Sequence, residues 1–218
     1  MKVLLTNDDG IQATGLHAMR RALLEVPGVE LATIAPDSNR SATARSITTR
    51  TPLWVDEVEL GDGTIGHATD GTPVDCVRFA ALGLIGFEPE LIVSGINHGS
   101  NLGDDITYSG TVAAALEGIV LGVPAIAVSQ QADHGAMDFR IGRAWEPENF
   151  ASVAAFVARI VEELEEVPMP AGTLPTTRGH LAGWITDSQS IKPGNRMPPN
   201  VLSGEDLQAL LTYIESLK

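Results

Sequence analysis

Residues 2–5, Lys-Val-Leu-Leu, run directly into Thr6-Asn7-Asp8-Asp9-Gly10-Ile11, and this join constrains the fold more than any other stretch. The apolar run has room for one short buried strand, and it ends in two adjacent acids and a glycine. The same grammar returns twice. Residues 29–35 read as a strand emptying into Pro36-Asp37-Ser38-Asn39-Arg40-Ser41, and residues 90–93 as a strand emptying into a polar, glycine-rich stretch over 94–105. Between the first two strands, residues 15–25 fit a helix stopped by Pro27-Gly28. It carries Leu16, Met19, Leu23 and Leu24 on one side and Arg20 and Arg21 on the other. Strand, helix, strand with short connections is the unit of a parallel sheet. The spacing therefore predicts an α/β domain whose three polar loops share one sheet edge, where such sheets take their ligands.

The remaining elements are consistent with that plan. Residues 53–60 alternate apolar and acidic side chains, as a half-exposed strand does, and Gly61-Asp62-Gly63 reads as a hairpin-like turn. Thr72-Pro73 has the form of a helix cap with proline at the first position, opening a helix to about residue 84. Ser109-Gly110-Thr111 opens an Ala-rich helix over 112–121, and residues 123–129 make a fourth buried strand. Residues 149–167 read as an amphipathic helix burying Val153, Phe156, Val157, Ile160 and Leu164.

Composition excludes several classes. The formal charge of −14 argues against a nucleic-acid polymer as partner, because such surfaces concentrate Lys and Arg. No apolar run approaches a membrane span, and residues 1–5 lack the pattern of a signal peptide, so a soluble, cytoplasmic protein without membrane partners is expected. Cys76 is the single cysteine, which rules out an internal disulfide and a multi-thiolate zinc site; it is expected as a small apolar residue on a buried helix face. Residues 1–174 hold 10 basic and 24 acidic residues, whereas residues 175–218 hold 4 of each, which places a boundary near residues 173–177.

The polar loops suggest chemistry. Asp8 and Asp9, side by side, repel one another unless a cation, a donor or a proton relieves them. Oxygen-only ligands suit one hard divalent ion, Mg²⁺ or Mn²⁺. The simpler alternative is a turn in which one acid caps the next helix. Small residues with free N–H groups at the start of a helix, as at Ser109-Gly110-Thr111, make a phosphate cradle; an ordinary Ser cap is the alternative there.

Taken together, Leu4-Leu5-Thr6-Asn7-Asp8-Asp9-Gly10, Ala35-Pro36-Asp37 with Arg40-Ser41, and Asp70-Gly71-Thr72-Pro73-Val74-Asp75-Cys76-Val77 resemble the SurE family of survival-protein nucleotidases. The most specific matches are Val93-Ser94-Gly95-Ile96-Asn97-His98-Gly99 with Asn101-Leu102-Gly103, and Tyr108-Ser109-Gly110-Thr111-Val112-Ala113-Ala114-Ala115. The resemblance runs over residues 1–174. It implies a Rossmann-like, doubly wound, mainly parallel sheet with helices on both faces. It also implies a metal-dependent phosphatase acting on nucleoside 5′-monophosphates, and 3′-monophosphates and short polyphosphate come into question as further substrates. Asp8, Asp9, Ser41 and Asn97 are implied as metal ligands, and Asp8, Asp9 and Asn97 as the catalytic set. Phosphate contacts are expected from Asn97, Ser109, Gly110 and Thr111, with Asn7 ordering the Asp pair and His98 lining the rim or assisting the leaving group. A homodimer is also implied, built with an extended arm of roughly seventy residues that normally follows; that arm is not recognisable in residues 175–218.

Residues 179–218 instead resemble the C-terminal part of a class I c-type cytochrome domain. The matching residues are Leu181-Ala182-Gly183-Trp184-Ile185, Ile191-Lys192-Pro193-Gly194-Asn195-Arg196-Met197-Pro198-Pro199 and a last helix over 205–217. The position of Met197 is an axial haem ligand in such domains, yet Cys-x-x-Cys-His is absent and no haem is expected. The organisation expected is a phosphatase domain over 1–174 and a short helical tail over 175–218. Two alternatives stand beside it: a folded metal- and nucleotide-binding module without turnover, and an electron-transfer or interaction protein working through the tail.

Overall fold

In the computed structural model the described residues are 1–130 and 150–166. The chain divides into two units, Met1–Gly172 and Thr173–Lys218. Every expectation placed on residues 175–218, Met197 included, lies outside the described residues.

Six strands form one sheet: β1 (Lys2–Thr6), β2 (Glu30–Pro36), β3 (Val55–Glu59), β4 (Ile65–Thr69), β5 (Leu91–His98) and β6 (Ala125–Gln130), in the order β3-β4-β2-β1-β5-β6. All neighbours are parallel except β3, which runs antiparallel to β4 at the edge. The described helices are α1 (Thr14–Leu24), α2 (Pro73–Ala81), α3 (Gly110–Leu121) and α4 (Ala151–Glu166), with a short 3₁₀ turn at Gly103–Thr107. None of them is long and apolar enough to cross a membrane.

Strand alternation places helices on both faces, as expected of a doubly wound sheet. Val3 and Leu5 of β1 join one core with Leu16, Met19 and Leu23 of α1 and Val157 and Val161 of α4. Leu4 joins the other with Ile34, Ile92, Cys76 and Val77 of α2 and Ala114 of α3. Cys76 is wholly buried there, as its neighbours in the sequence suggest.

Several local expectations are corrected. Arg20 is buried, on the face assigned to leucines, because its guanidinium is received by Asp62 and Thr64 in the β3–β4 turn. Leu24 is exposed instead. Phe156 is also exposed: the buried stripe of α4 runs Ala154, Val157, Val161, and the Arg159 guanidinium lies 6.0 Å from the Phe156 ring. Helix α2 opens on a full capping box between Thr72 and Asp75, then stops at Ala81, short of residue 84, because Gly83 takes φ +95°. Strand β5 is twice the length read from its apolar run, so Asn97 and His98 lie on the strand itself. The segment 94–98 is polar yet its pairing continues on β6, with a register shift between Ser94 and Asn97.

Candidate active site at the strand ends

Chain direction reverses at the centre of this sheet. After β1 the chain passes through α1 to β2 on one side; after β5 it passes through α3 to β6 on the other. The chain segments leaving β1 and β5 therefore part company at the strand ends, the usual ligand position of an open α/β sheet.

The first loop is internally fixed. Asn7 Nδ2 donates to the Gly10 carbonyl at 3.0 Å and Asn7 Oδ1 accepts the Gly10 N–H at 3.2 Å. Gly10 has φ +105°, and a Cβ there would come within 3.2 Å of the Ser38 backbone, so the first and second loops pack directly together. The Ile11 N–H donates to the Pro36 carbonyl at 2.8 Å, and the Arg40 N–H to the Asp8 carbonyl at 2.7 Å. Asn39 Nδ2 donates to Asp9 Oδ1 at 3.2 Å, while the His98 N–H donates to Asp9 Oδ2 at 3.1 Å. One carboxylate is thereby held by the second loop and the end of β5 together.

Asp8 is held from the other side. The Thr111 hydroxyl donates to Asp8 Oδ1 at 2.5 Å and lies 3.4 Å from Asn97 Oδ1. Asn97 Nδ2 donates to the Gly99 carbonyl at 2.9 Å, which commits its amide nitrogen and turns its oxygen to the Asp8–Thr111 side. Helix α3 begins against this pair, since a Cβ on Gly110 would lie 2.7 Å from Asp8 Cβ and 2.9 Å from its Oδ2. The N–H groups of Gly110 and Thr111 have no intrahelical acceptor, being the first two of the helix. The Ser109 hydroxyl accepts the Val112 N–H at 3.2 Å, so Ser109 is a cap, and its own proton is left to donate.

Asp8 is 2 % exposed, and among the described residues no Lys or Arg pairs with it or with Asp9. Burial raises the Asp9 pKa above its ordinary value; the nearby His98 ring opposes this and the Asp8 charge adds to it. Two acids crowded this way, with an amide oxygen facing them, form a hard-oxygen donor set that fits a divalent cation. Ser41 follows the Arg40 N–H bonded to Asp8, but its hydroxyl makes no hydrogen bond among the described residues; its N–H donates to Asn39 Oδ1 at 2.9 Å. The half-buried His98 ring stacks on buried Phe150 at 5.1 Å, and its Nε2 lies 3.4 Å from the Thr14 hydroxyl at the start of α1.

Of the residues expected from the sequence, Asp8, Gly110, Thr111 and Asn97 meet in turn, Asp9 is held next to Asp8 by Asn39 and His98, Asn7 braces their loop, and Ser41 follows Arg40, whose N–H reaches the Asp8 carbonyl. Asn39 is a contact that sequence reading missed. Its position within the Asp37-to-Ser41 loop is the signal that was there to be used, since an amide among acids is a ready donor.

A family model described as "Survival protein SurE" matches residues 3–180. The chain belongs to the SurE family. It is 56% identical over 167 residues to the 5′-nucleotidase SurE of Rubrobacter xylanophilus, covering 73% of this chain and 59% of that protein. The 5′-nucleotidase SurE of Kosmotoga olearia is 43% identical over 196 residues, covering 87% of this chain and 72% of its own length. Among solved structures, the SurE protein from Aquifex aeolicus superposes with a TM-score of 0.63 at 35% identity, over 78% of this chain and 62% of that one. The chain thus spans about three fifths of the length of the Rubrobacter relative. The family model ends six residues beyond residue 174, the limit of the resemblance read from motifs.

Proposed function

We propose that this SurE-family domain is a metal-dependent phosphomonoesterase that hydrolyses nucleoside 5′-monophosphates, with one Mg²⁺ or Mn²⁺ held by Asp8, Asp9, Ser41 and Asn97. The observation that carries the reading is the meeting of the loops after β1 and β2 with the end of β5 on one crowded pair of carboxylates, Asp8 buried and Asp9 half-buried, beside the start of α3. The substrate class comes from relatives named 5′-nucleotidase. A divalent ion in such a site supplies charge to a phosphoryl oxygen and lowers the pKa of a bound water.

The chain's own residues do the rest. Gly110 and Thr111 offer two unsatisfied N–H groups, and Ser109 a hydroxyl proton, to the non-bridging phosphate oxygens. Thr111 fixes the Asp8 carboxylate in one orientation, and the His98 and Asn39 donors fix that of Asp9, so neither acid has to reorganise as charge develops. A thiolate nucleophile is excluded at Cys76, because complete burial pushes its pKa far up. In this reading water is the attacking group. 3′-monophosphates and short polyphosphates present the same terminal phosphoryl group and belong in the same assay.

The test is phosphate release by the full chain from 5′- and 3′-nucleoside monophosphates with Mn²⁺, Mg²⁺ or EDTA, beside Asp8→Ala and Asn97→Ala. The reading expects release that EDTA abolishes and both substitutions remove. Folded protein that releases nothing refutes it in favour of a binding module without turnover.

A further inference from the structure

Glu117 lies in the second turn of α3 and is 1 % exposed. Two guanidiniums reach it from different parts of the chain. Arg45 Nη2 donates to Glu117 Oε2 at 3.1 Å. Arg78 Nη2 of α2 lies 2.7 Å from Oε1 as a close ion contact without hydrogen-bond geometry. A carboxylate buried this deeply is retained only with charge partners, so the cluster is a fixed point in the fold.

Arg45 belongs to the loop that leaves β2, four residues beyond Ser41. That loop is tied down along its length. Asp37 and Arg40 donate their N–H groups to the Thr69 and Asp8 carbonyls at 2.7 Å each, and Ala44 to the Tyr108 carbonyl at 3.0 Å. The Thr72 hydroxyl donates to the Ser46 carbonyl at 2.8 Å, and the Thr48 N–H donates to the Asp75 carboxylate at 3.2 Å. Between these ties Ala42 and Ala44 adopt φ +61° and +53°. L-residues avoid that region, and they stay there only where the surroundings hold them. Among the described residues, the tie to Glu117 is the only ion pair made by the loop after Ser41.

We propose that Arg45, anchored on buried Glu117, is a positioning residue that holds the Ser41 segment in its left-handed course beside Asp8 and Asp9, and so sets the affinity of the site for its divalent ion. The inference rests on the metal-site reading above. Arg78 supplies the contrast: it meets the same carboxylate from α2 and carries no part of the loop.

The experiment titrates Mn²⁺ into the full chain and its Arg45→Met and Arg78→Met variants, following free Mn²⁺ by electron paramagnetic resonance. Melting temperatures are taken in EDTA alongside. Arg45→Met leaves Glu117 paired with Arg78, so its metal-free melting temperature should stay close to the parent's, while Mn²⁺ affinity falls about 10- to 100-fold, the usual effect of losing a residue that orients a ligand. Arg78→Met leaves Glu117 its hydrogen bond from Arg45, so it too should keep a metal-free melting temperature close to the parent's, and it should keep the affinity. Parent-like Mn²⁺ affinity in Arg45→Met overturns the inference, as does an equal loss in both variants, which would mark a general packing effect. A parent chain that takes up no Mn²⁺ overturns the metal-site reading itself, a distinguishable result because it precedes any substitution.

Discussion

Gly110→Ala is the substitution whose outcome is best worked from the structure. Alanine in place of glycine within a helix normally gains stability, up to about 1 kcal/mol. Here the new Cβ would sit 2.7 Å from Asp8 Cβ, 2.9 Å from Asp8 Oδ2 and 3.0 Å from Pro73 Cγ. Restoring an ordinary contact of 3.4 Å requires a separation of about 0.7 Å between the start of α3 and Asp8. Overpacking of this kind costs about 1–3 kcal/mol, so the helix-propensity gain is offset and stability changes modestly. Activity should change far more. A displacement approaching 1 Å in a reacting site costs about 100-fold, or roughly 2.7 kcal/mol of transition-state stabilisation. The assay is kcat/KM for phosphate release from a nucleoside 5′-monophosphate, with urea unfolding in parallel. Gly122→Ala is the comparison: it strains a φ of +76° in open space at the far end of the same helix, and should cost stability without touching kcat. Activity of Gly110→Ala within a factor of about two of the parent would refute the reasoning, since a loss that small is far below the 100-fold scale.

Thr111→Val removes the donor to buried Asp8 and keeps the shape; unfolding in EDTA should show a loss of about 1–3 kcal/mol, and unchanged stability would mean the 2.5 Å bond is not formed. The Thr64 hydroxyl and Arg20 hold the Asp62 pKa well below its ordinary value of 3.8. That contribution is present above the unfolded pKa and is lost as pH falls through the folded one, so Asp62→Asn should be less stable than the parent at neutral pH, with the gap closing in strong acid. Urea midpoints across pH check this, and a gap that widens on acidification would contradict it. Cys76 should resist thiol reagents in the native protein and react once urea unfolds it; native labelling at the unfolded rate would contradict its burial.

Much of the site was legible because strand ends and their loops are local in sequence. A short apolar run closed by Asp8-Asp9-Gly10 fixes both a strand and the place where its polar residues emerge, and the topology then gathers three such loops. Long-range polar pairing was less visible. Arg20 looked like a surface residue because its partners, Asp62 and Thr64, lie on a distant hairpin turn. The extent of β5 was hidden for a similar reason: Asn97 and His98 pair with Ser129 and Gln130, and a polar stretch carries no strand periodicity of its own. Phe156 shows the limit of periodicity on a helix, where several apolar residues span more arc than the core covers and the smaller Ala154 takes the buried place.

Direct titration of Mn²⁺ tests most simply whether the loops after β1 and β2 and the end of β5 form one oxygen-donor metal site. Calorimetry on the full chain should give one ion per chain, and Asp8→Asn and Asn97→Ala should each abolish or severely weaken the heat of binding while the variants unfold cooperatively. Folded parent protein that binds no Mn²⁺, or an Asp8→Asn variant that binds it as the parent does, would contradict the account.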